Sequence, residues 1–353
     1  MGAMAVRIVP VTTLDPAPEV AALAQRWNDV LVASTVATMG DDHDAWSLAS
    51  RRARESSTSW DHRYFAAVDE GDGDDAIAGV DGVAGAAGGT VVAAAELVLP
   101  RRDNLTLALL DLAVHPDHRL RGTGTLVLDH LVRLAQGAGR TTLLTETAYP
   151  TGGSDPGEAF LRAHGFEVGQ TMHRNDLDVR SHLPAEVPGL DGYAIETSTD
   201  DTLDAWLEDR AHLSRRMSTD APVGDLDLAE EDWDADRVRE QREATRKSNR
   251  RAVESVARHL GTGRLVAFTQ LQVPVAEPVL AYQQDTLVLR EHRGHGLGQA
   301  LKIANLRAAR EAFPGLVTVR TWNAQENGPM IAVNEALGYR TTAIQREWQR
   351  RLG

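Results

Sequence analysis

Between Asp285 and Gly298 the chain reads Asp-Thr-Leu-Val-Leu-Arg-Glu-His-Arg-Gly-His-Gly-Leu-Gly, an apolar strand that runs into a basic, glycine-rich turn. Residue types in this order suit the holding of a phosphate. Gly294, Gly296 and Gly298 let backbone N–H groups crowd toward an anion, and a helix starting at the turn adds the positive end of its dipole. Upstream on the same strand, Asp285 is a carboxylate placed to accept a proton, or else only to order the strand or a neighbouring Arg.

The turn occurs twice. Asp111, Val114, Arg119, Gly122 and Gly124 each precede Asp285, Val288, Arg293, Gly296 and Gly298 by 174 residues, and Gly165 precedes Gly338 by 173. A constant offset across positions of this kind marks a tandem duplication. Periodicity predicts the elements that carry each copy. In the first copy they are a strand over 6–10, helices over 18–37 and 44–56, strands over 64–70, 90–99 and 105–114, a helix over 125–138, a strand over 141–148, a helix over 157–164 and a strand over 170–179. Residues 71–89, acidic and then rich in Gly and Ala, read as a hairpin loop. A linker over 181–193 contains Pro184, Pro188, Gly189 and Gly192. The order then restarts, with helices over 201–216 and 235–247, strands over 252–259, 265–273 and 279–289, a helix over 299–313, a strand over 316–322, a helix over 329–337 and a strand over 341–348. The expected division is one domain over 5–180, the linker, and a second domain over 194–353.

Composition bounds the answer without deciding it. The 353 residues are 42% hydrophobic and 25% charged, enough apolar material for two cores. Cysteine is absent, which excludes disulfides, thiolate metal sites and a Cys nucleophile and suits a reducing cytoplasm. The formal net charge of −14 argues against nucleic acid or an anionic membrane as partner. It suits a cationic small substrate, although acidity serves solubility equally. Met1–Met4 show no basic region followed by an apolar run, and residues 82–95 are too short and Gly-rich to span a bilayer, so a cytoplasmic location is expected. Oligomeric state is not encoded in any feature of this kind.

The repeated Arg-x-x-Gly-x-Gly, after a strand and before a helix in both copies, resembles the coenzyme A-binding turn of the GNAT acetyltransferase superfamily. Dinucleotide and Walker readings fail, because the glycines alternate in mid-domain and no Gly-Lys-Ser/Thr occurs. The resemblance covers nearly the whole chain and implies an α/β fold with a mixed sheet in each of two tandem GNAT acyltransferase domains, a layout similar to that of mycothiol synthase. It implies acetyl-coenzyme A as cosubstrate, a small-molecule amine as the other partner, and no metal. By the resemblance, Val288, Leu289, Arg293, Gly294, His295, Gly296, Leu297 and Gly298 hold the coenzyme in the second unit, helped by Asn327. Val114, Arg119, Arg121, Gly122, Thr123, Gly124 and Thr125 do so in the first. Among the side chains, Arg121 and Arg293 are the better phosphate ligands. His292 and His295 either reach the phosphate through a ring N–H or are simply exposed.

In this family the thioester oxyanion is held by backbone N–H groups of the fourth strand, here near Val288 and Leu289, and Asp285 is the candidate base. The family's later signature, Asn-x-x-Ala-x-x-x-Tyr-x-x-x-Gly-Phe, is kept at Asn327, Gly338 and Tyr339, but Asn334 stands in place of the Tyr acid. The first copy offers Ser154, Gly157, Leu161, Gly165 and Phe166, with Asn and Tyr both lost, so the second unit is expected to be the catalytic one and the first a coenzyme-binding unit or scaffold. With no Cys and no recognisable Ser/His/Asp set, direct attack by a primary amine is expected rather than an acyl-enzyme. Trp322 and Asn323 lie at the edge of the expected groove, with core packing as the alternative for Trp322. The acidic stretch 220–236, with Asp225, Asp227 and Trp233, forms either an acceptor wall that attracts an amine or a solvated loop. The function implied is N-acetyl transfer to a primary amine. A mycothiol synthase-type acetyltransferase and a catalytically inactive coenzyme A sensor are its rivals.

Overall fold

The computed structural model describes residues 6–70, 89–180, 187 and 189–353. The expected hairpin loop therefore falls outside the described residues except at Gly89, as does the linker at 181–186 and 188. The chain divides into two compact units. One comprises Met1–Val168 with Glu347–Gly353, the other Gly169–Arg346.

In the first unit the order is β1 (Val6–Val11), α1 (Pro18–Met39), α2 (Leu48–Glu55), β2 (Trp60–Asp69), β3 (Thr90–Pro100), β4 (Leu107–Val114), α3 (Thr123–Gly137), β5 (Thr142–Pro150) and α4 (Glu158–Ala163). Neighbours β1/β2, β2/β3 and β3/β4 are antiparallel, whereas β4/β5 is parallel. Helix α1 starts with Pro18 at a position that needs no N–H and stops at Gly40, whose φ of 87° a side chain would resist. Its buried residues Val20, Leu23, Ala24, Trp27, Val30 and Leu31 recur at helical spacing. Alternation along β3 supplies the two faces they and α3 need. Ala94 packs with α1, while Ala93, Ala95 and Leu97 pack with Val127, Leu128 and Leu131 of α3. The unit is completed by residues 347–353. Fully buried Trp348 lies in the α3 core and donates from Nε1 to Thr147 Oγ1 at 2.8 Å.

The second unit begins in β6 (Glu167–Asp178). It continues through β7 (Tyr193–Ser198), α5 (Leu207–Asp220), α6 (Ala235–Lys247), β8 (Arg250–His259), β9 (Leu265–Pro274), β10 (Leu280–Val288), α7 (Leu297–Ala312), β11 (Thr318–Ala324), α8 (Gly328–Leu337) and the first part of β12 (Arg340–Arg351). Strands β7/β8, β8/β9, β9/β10 and β11/β6 are antiparallel and β10/β11 parallel. Strand β7 was not among the predicted elements. It follows directly on a Pro/Gly-rich stretch and is too short for alternation to stand out.

One feature recurs in both units. Strand β4 is paired with β5 only over Leu107–Leu110 with Thr142–Thr145, although β4 runs to Val114 and β5 to Pro150. Likewise β10 is paired with β11 only over Leu280–Tyr282 with Thr318–Arg320, although the strands run to Val288 and Ala324. The parallel strands part, and the edge each turns to the other beyond that point carries backbone N–H and C=O groups without a ladder partner.

Candidate active site

Each groove ends in the glycine-rich turn. The N-cap residues Gly122 and Gly296 have φ of 85° and 75°. The first intrahelical bonds run from Leu126 N to Gly122 O and from Ala300 N to Gly296 O, both 3.1 Å. Amides of Thr123, Gly124 and Thr125, and of Leu297, Gly298 and Gln299, therefore precede the helical ladder and point out of the helix end. A Cβ on Gly124 would make ordinary van der Waals contact with Phe160 at 3.4 Å and Val114 at 3.6 Å, so the demand for glycine falls on Gly122 and Gly296, whose positive φ side chains resist. The motif arginines brace the turn from behind. Arg119 donates from Nε to Val114 O at 3.2 Å and from Nη2 to Ser34 at 3.0 Å. Arg293 repeats this on Val288 O at 3.0 Å and binds Asp220 Oδ2 at 2.9 Å. The residues present fit a coenzyme pyrophosphate held by main-chain amides.

In the first unit, the parting of β4 and β5 exposes Asp111 and Glu146, each the first residue beyond the last paired position, Leu110 with Thr145. Leu110 and Leu143 lie in the α3 core, so Asp111 and Glu146 both point to the α1–α2 face, as does Glu347 beside core Trp348. Asp111 and Glu146 are exposed at this edge, and protein atoms crowd around their carboxyls. Burial pushes Glu146 up to about 7, with the charges of Glu347 and Asp111 adding to it and Arg54 opposing. Burial likewise raises Asp111, against the pull of Arg51. Behind them lies a buried network. Arg51 Nη1 donates to Glu96 Oε2 at 2.9 Å, and His62 Nδ1 lies 2.7 Å from Glu96 Oε1. Burial works against ionisation of Glu96, but the His62 hydrogen bond and the charges of Arg54 and Arg51 outweigh it and hold that carboxyl at about 2.

In the second unit, Gln284 and Asp285 form a bulge in β10, skipped in the register between Gln283 and Thr286. Burial raises the Asp285 carboxyl, opposed by Arg210. Across the parting, β11 presents Trp322, whose ring stacks on Tyr282 at 6.4 Å and 12°.

Residues 40–166 match the acetyltransferase (GNAT) family. A tandem GNAT protein from the clavulanic acid biosynthesis pathway is 27% identical, with 99% of each chain covered and a TM-score of 0.76. The whole chain is thus similar to a tandem GNAT protein, and residues 40–166 carry the match to the GNAT family itself. A GCN5-related N-acetyltransferase from Sphaerobacter thermophilus, 16% identical over 99% of this chain and 96% of that one at a TM-score of 0.64, shares the fold. So does a glucosamine N-acetyltransferase region of a fungal multi-domain protein, 13% identical over 99% of this chain and 38% of that one at a TM-score of 0.62. Comparison with curated proteins gives no match. The mixed α/β fold in two tandem copies thus stands as expected, and the family is one of acyltransferases that use acetyl-coenzyme A. No described helix is long and apolar enough to cross a membrane.

Several of the expected site residues are engaged within the protein. The Leu289 amide donates to Val266 O at 3.0 Å, so it is not available to an oxyanion. The first unit repeats the bond at His115, to Val92 O at 2.9 Å. Arg121 Nη2 donates to Asp117 O at 2.8 Å, and Arg293 donates from Nε to Val288 O and from Nη2 to Asp220. His295 is exposed beside the Tyr193 ring, while His292 Nδ1 lies 3.0 Å from Tyr193 Oη. Asn327 caps α8, accepting from Met330 N at 3.4 Å. Asn323 is buried and accepts from Asn334 Nδ2 at 2.6 Å, so neither is placed to meet a substrate.

The acidic stretch is largely consumed by its own fold. Asp220 is an ion-pair hub for Arg216, Arg290 and Arg293, and Asp234 caps α6. Asp225 N is bonded to Gly169 O at 2.9 Å, Asp227 is engaged too, and Trp233 packs against the small α5–α6 core with Arg237 over its ring. Trp322 and Asp285 do sit where the strands part. Sequence reasoning missed Glu146, Glu347 and Arg51. A lone charged residue in the Thr- and Leu-rich strand Thr141–Ala148 was the available signal for the first.

Proposed function

We propose that the first unit transfers an acetyl group from acetyl-coenzyme A to a cationic primary amine, with Glu146 as the base. What supports this reading is the position of Glu146, one residue beyond the point where β4 and β5 part and on the same face as Asp111 and Glu347, with its carboxyl pushed up to about 7. A base poised there is half ionised near neutrality and accepts a proton readily. Acetyl-coenzyme A supplies the acyl group as a thioester. The turn amides of Thr123, Gly124 and Thr125 anchor its pyrophosphate, and the unpaired edge of β4 orients the arm that carries the thioester. Glu146 takes the ammonium proton, and the freed amine attacks the carbonyl. The C–N bond forms as the C–S bond breaks, and the second proton of the attacking nitrogen passes to the leaving thiolate, which departs without a strong acid because thiols ionise near ~8.5. Asp44, Asp111 and Glu347 act on Glu146 with the same sign of charge and make the groove attractive to a cation.

In the second unit, Asp285 and an intact turn support coenzyme binding with chemistry as a second reading. Buried Asn334 in place of the Tyr acid favours binding alone there. Thiol release with acetyl-coenzyme A and a panel of mono- and polyamines tests the assignment. Glu146→Gln should lower kcat/KM by roughly 10²–10⁴ with acetyl-coenzyme A binding retained, and Asp285→Asn should leave it nearly unchanged. The opposite pattern moves the chemistry to the second unit. Tight coenzyme binding with no turnover on any amine makes the protein a sensor.

A further inference from the structure

The parallel ladders give the two grooves a common count. In the first unit the ladder opens at Leu107 with Thr142, and Asp111 and Glu146 each stand four places beyond. In the second it opens at Leu280 with Thr318. Trp322 stands four places beyond Thr318, and Asp285 five beyond Leu280, the extra place being the bulge in β10. The faces agree with this count, since Leu143 and Val319, each one place past the opening, lie in the cores of α3 and α7. The second groove thus keeps the aspartate and has an indole where the first has Glu146. Ala281 also lies in the α7 core, so Tyr282 and Trp322 turn to the opposite side of the sheet, that of α5 and α6. Strict alternation would turn Asp285 the other way. The bulge reverses it, and Arg210 of α5 is the charge that acts on its carboxyl. Arg210 is taken by fully buried Glu254, and Asp285 has no hydrogen-bond or ion-pair partner among the described residues.

Trp206 is buried in an apolar core and Trp233 packs against the small α5–α6 core, but half-buried Trp322 joins none of the apolar cores of the described residues. Its ring partner is Tyr282, nearly parallel at 12°. Tyr282 in turn is backed by the Arg250 guanidinium, 4.6 Å from its ring centroid. Arg320, in register with Tyr282 on the same face, donates from Nε and Nη2 to the two oxygens of Asp176, so that pair adds no net charge.

We propose that the second unit's groove is a binding site for an arylalkyl ammonium. Its aromatic ring lies on Trp322, which Tyr282 and Arg250 brace, and its ammonium reaches Asp285 across the parting of β10 and β11. An indole face takes a second ring by offset stacking, and a carboxylate without a partner selects a ligand of opposite charge. The first unit's groove, with Glu146 at the place of the indole, offers charge but no such face. The site needs neither Glu146 nor acyl transfer, so it stands apart from the reading of the first unit as the enzyme.

The test is a binding titration of the full-length protein, saturated with coenzyme A so that no acetyl group is present to transfer. Three probes are compared by calorimetry: phenethylamine, cyclohexylethylamine with the same charge and no aromatic ring, and phenylpropanoate with the ring and the opposite charge. Phenethylamine should bind, and the other two should bind about ten-fold more weakly or worse. Trp322→Leu should weaken phenethylamine by about ten-fold, and Trp322→Phe should recover most of the loss. Asp285→Asn should weaken it by a similar factor. Phenethylamine affinity unchanged in folded Trp322→Leu overturns the inference, as does binding confined to the first unit, which both variants would leave untouched. Should Trp322→Leu not fold, unchanged affinity in Asp285→Asn, a substitution at an exposed bulge, overturns it equally. No binding by the parent protein, or cyclohexylethylamine bound as tightly as phenethylamine, also sinks it. If the affinities shift as stated but thiol release fails with every amine, this site stands and acyl transfer by the first unit falls.

Discussion

Lys302 gives the sharpest test of how the second unit is packed. It lies in the second turn of α7, 1% exposed, with no carboxylate partner among the described residues and with Nζ 5.4 Å from the ring centroid of Tyr339. The Tyr339 hydroxyl is itself buried without a hydrogen-bond partner. Burial alone carries the amine down from 10.5 to about 7. The sign follows from proton counting. Between those two values the unfolded chain holds the proton and the folded chain does not, so stability rises with pH across this window and the contribution levels off on either side. The slope is about 1.4 kcal/mol per pH unit, so between about pH 7 and 9.5 the parent protein should gain about 3 kcal/mol from this group. Lys302→Met keeps the volume and removes the proton site. It should be more stable than the parent near pH 7, with the gap closing by about 3 kcal/mol toward pH 9.5. Urea unfolding followed by fluorescence measures the gap, and hydrogen exchange of α7 peptides identifies the transition that belongs to the second unit. A gap that stays constant with pH would refute the reasoning, for the amine would then be solvated or paired.

Two further outcomes follow from buried charge and from the turn. Glu254 is fully buried and holds Arg210, Thr202 and Gln270, so Glu254→Ala should destabilise the second unit by about 3–5 kcal/mol in urea unfolding, with partial recovery when Arg210→Met removes the stranded cation. Gly296→Val places a branched side chain at a φ of 75° in the mouth of the second turn, and Gly122→Val does the same in the first at 85°. Each should remove one coenzyme equivalent in calorimetry and leave the other; an unchanged stoichiometry would show that the turns are not the binding sites.

The duplication and the turns were legible because glycine, arginine and aspartate recur at a fixed offset, and the same backbone conformation follows from the same residues. Most elements were legible from their periodicity. The groove was not. Whether Glu146 stands beside Asp111 depends on the register of two parallel strands, and no local spacing encodes a pairing across an intervening helix. Arg293 has the right charge for phosphate, yet the carbonyl five residues earlier and Asp220, 73 residues away, claim it first. In the acidic stretch likewise, local spacing does not say which Asp is a cap, as Asp234 is, or one half of an ion pair, as Asp220 is.

The seven residues that complete the first unit come from beyond the whole of the second. On a ribosome, Trp348 reaches its place in the α3 core only after some 180 further residues have emerged past Val168, a wait on the order of ten to forty seconds. The first unit is thus the earlier to be made and the later to be finished. Until then the apolar face near Leu143 and Phe166 lacks Trp348, and the half that was translated first waits with part of its core open to water.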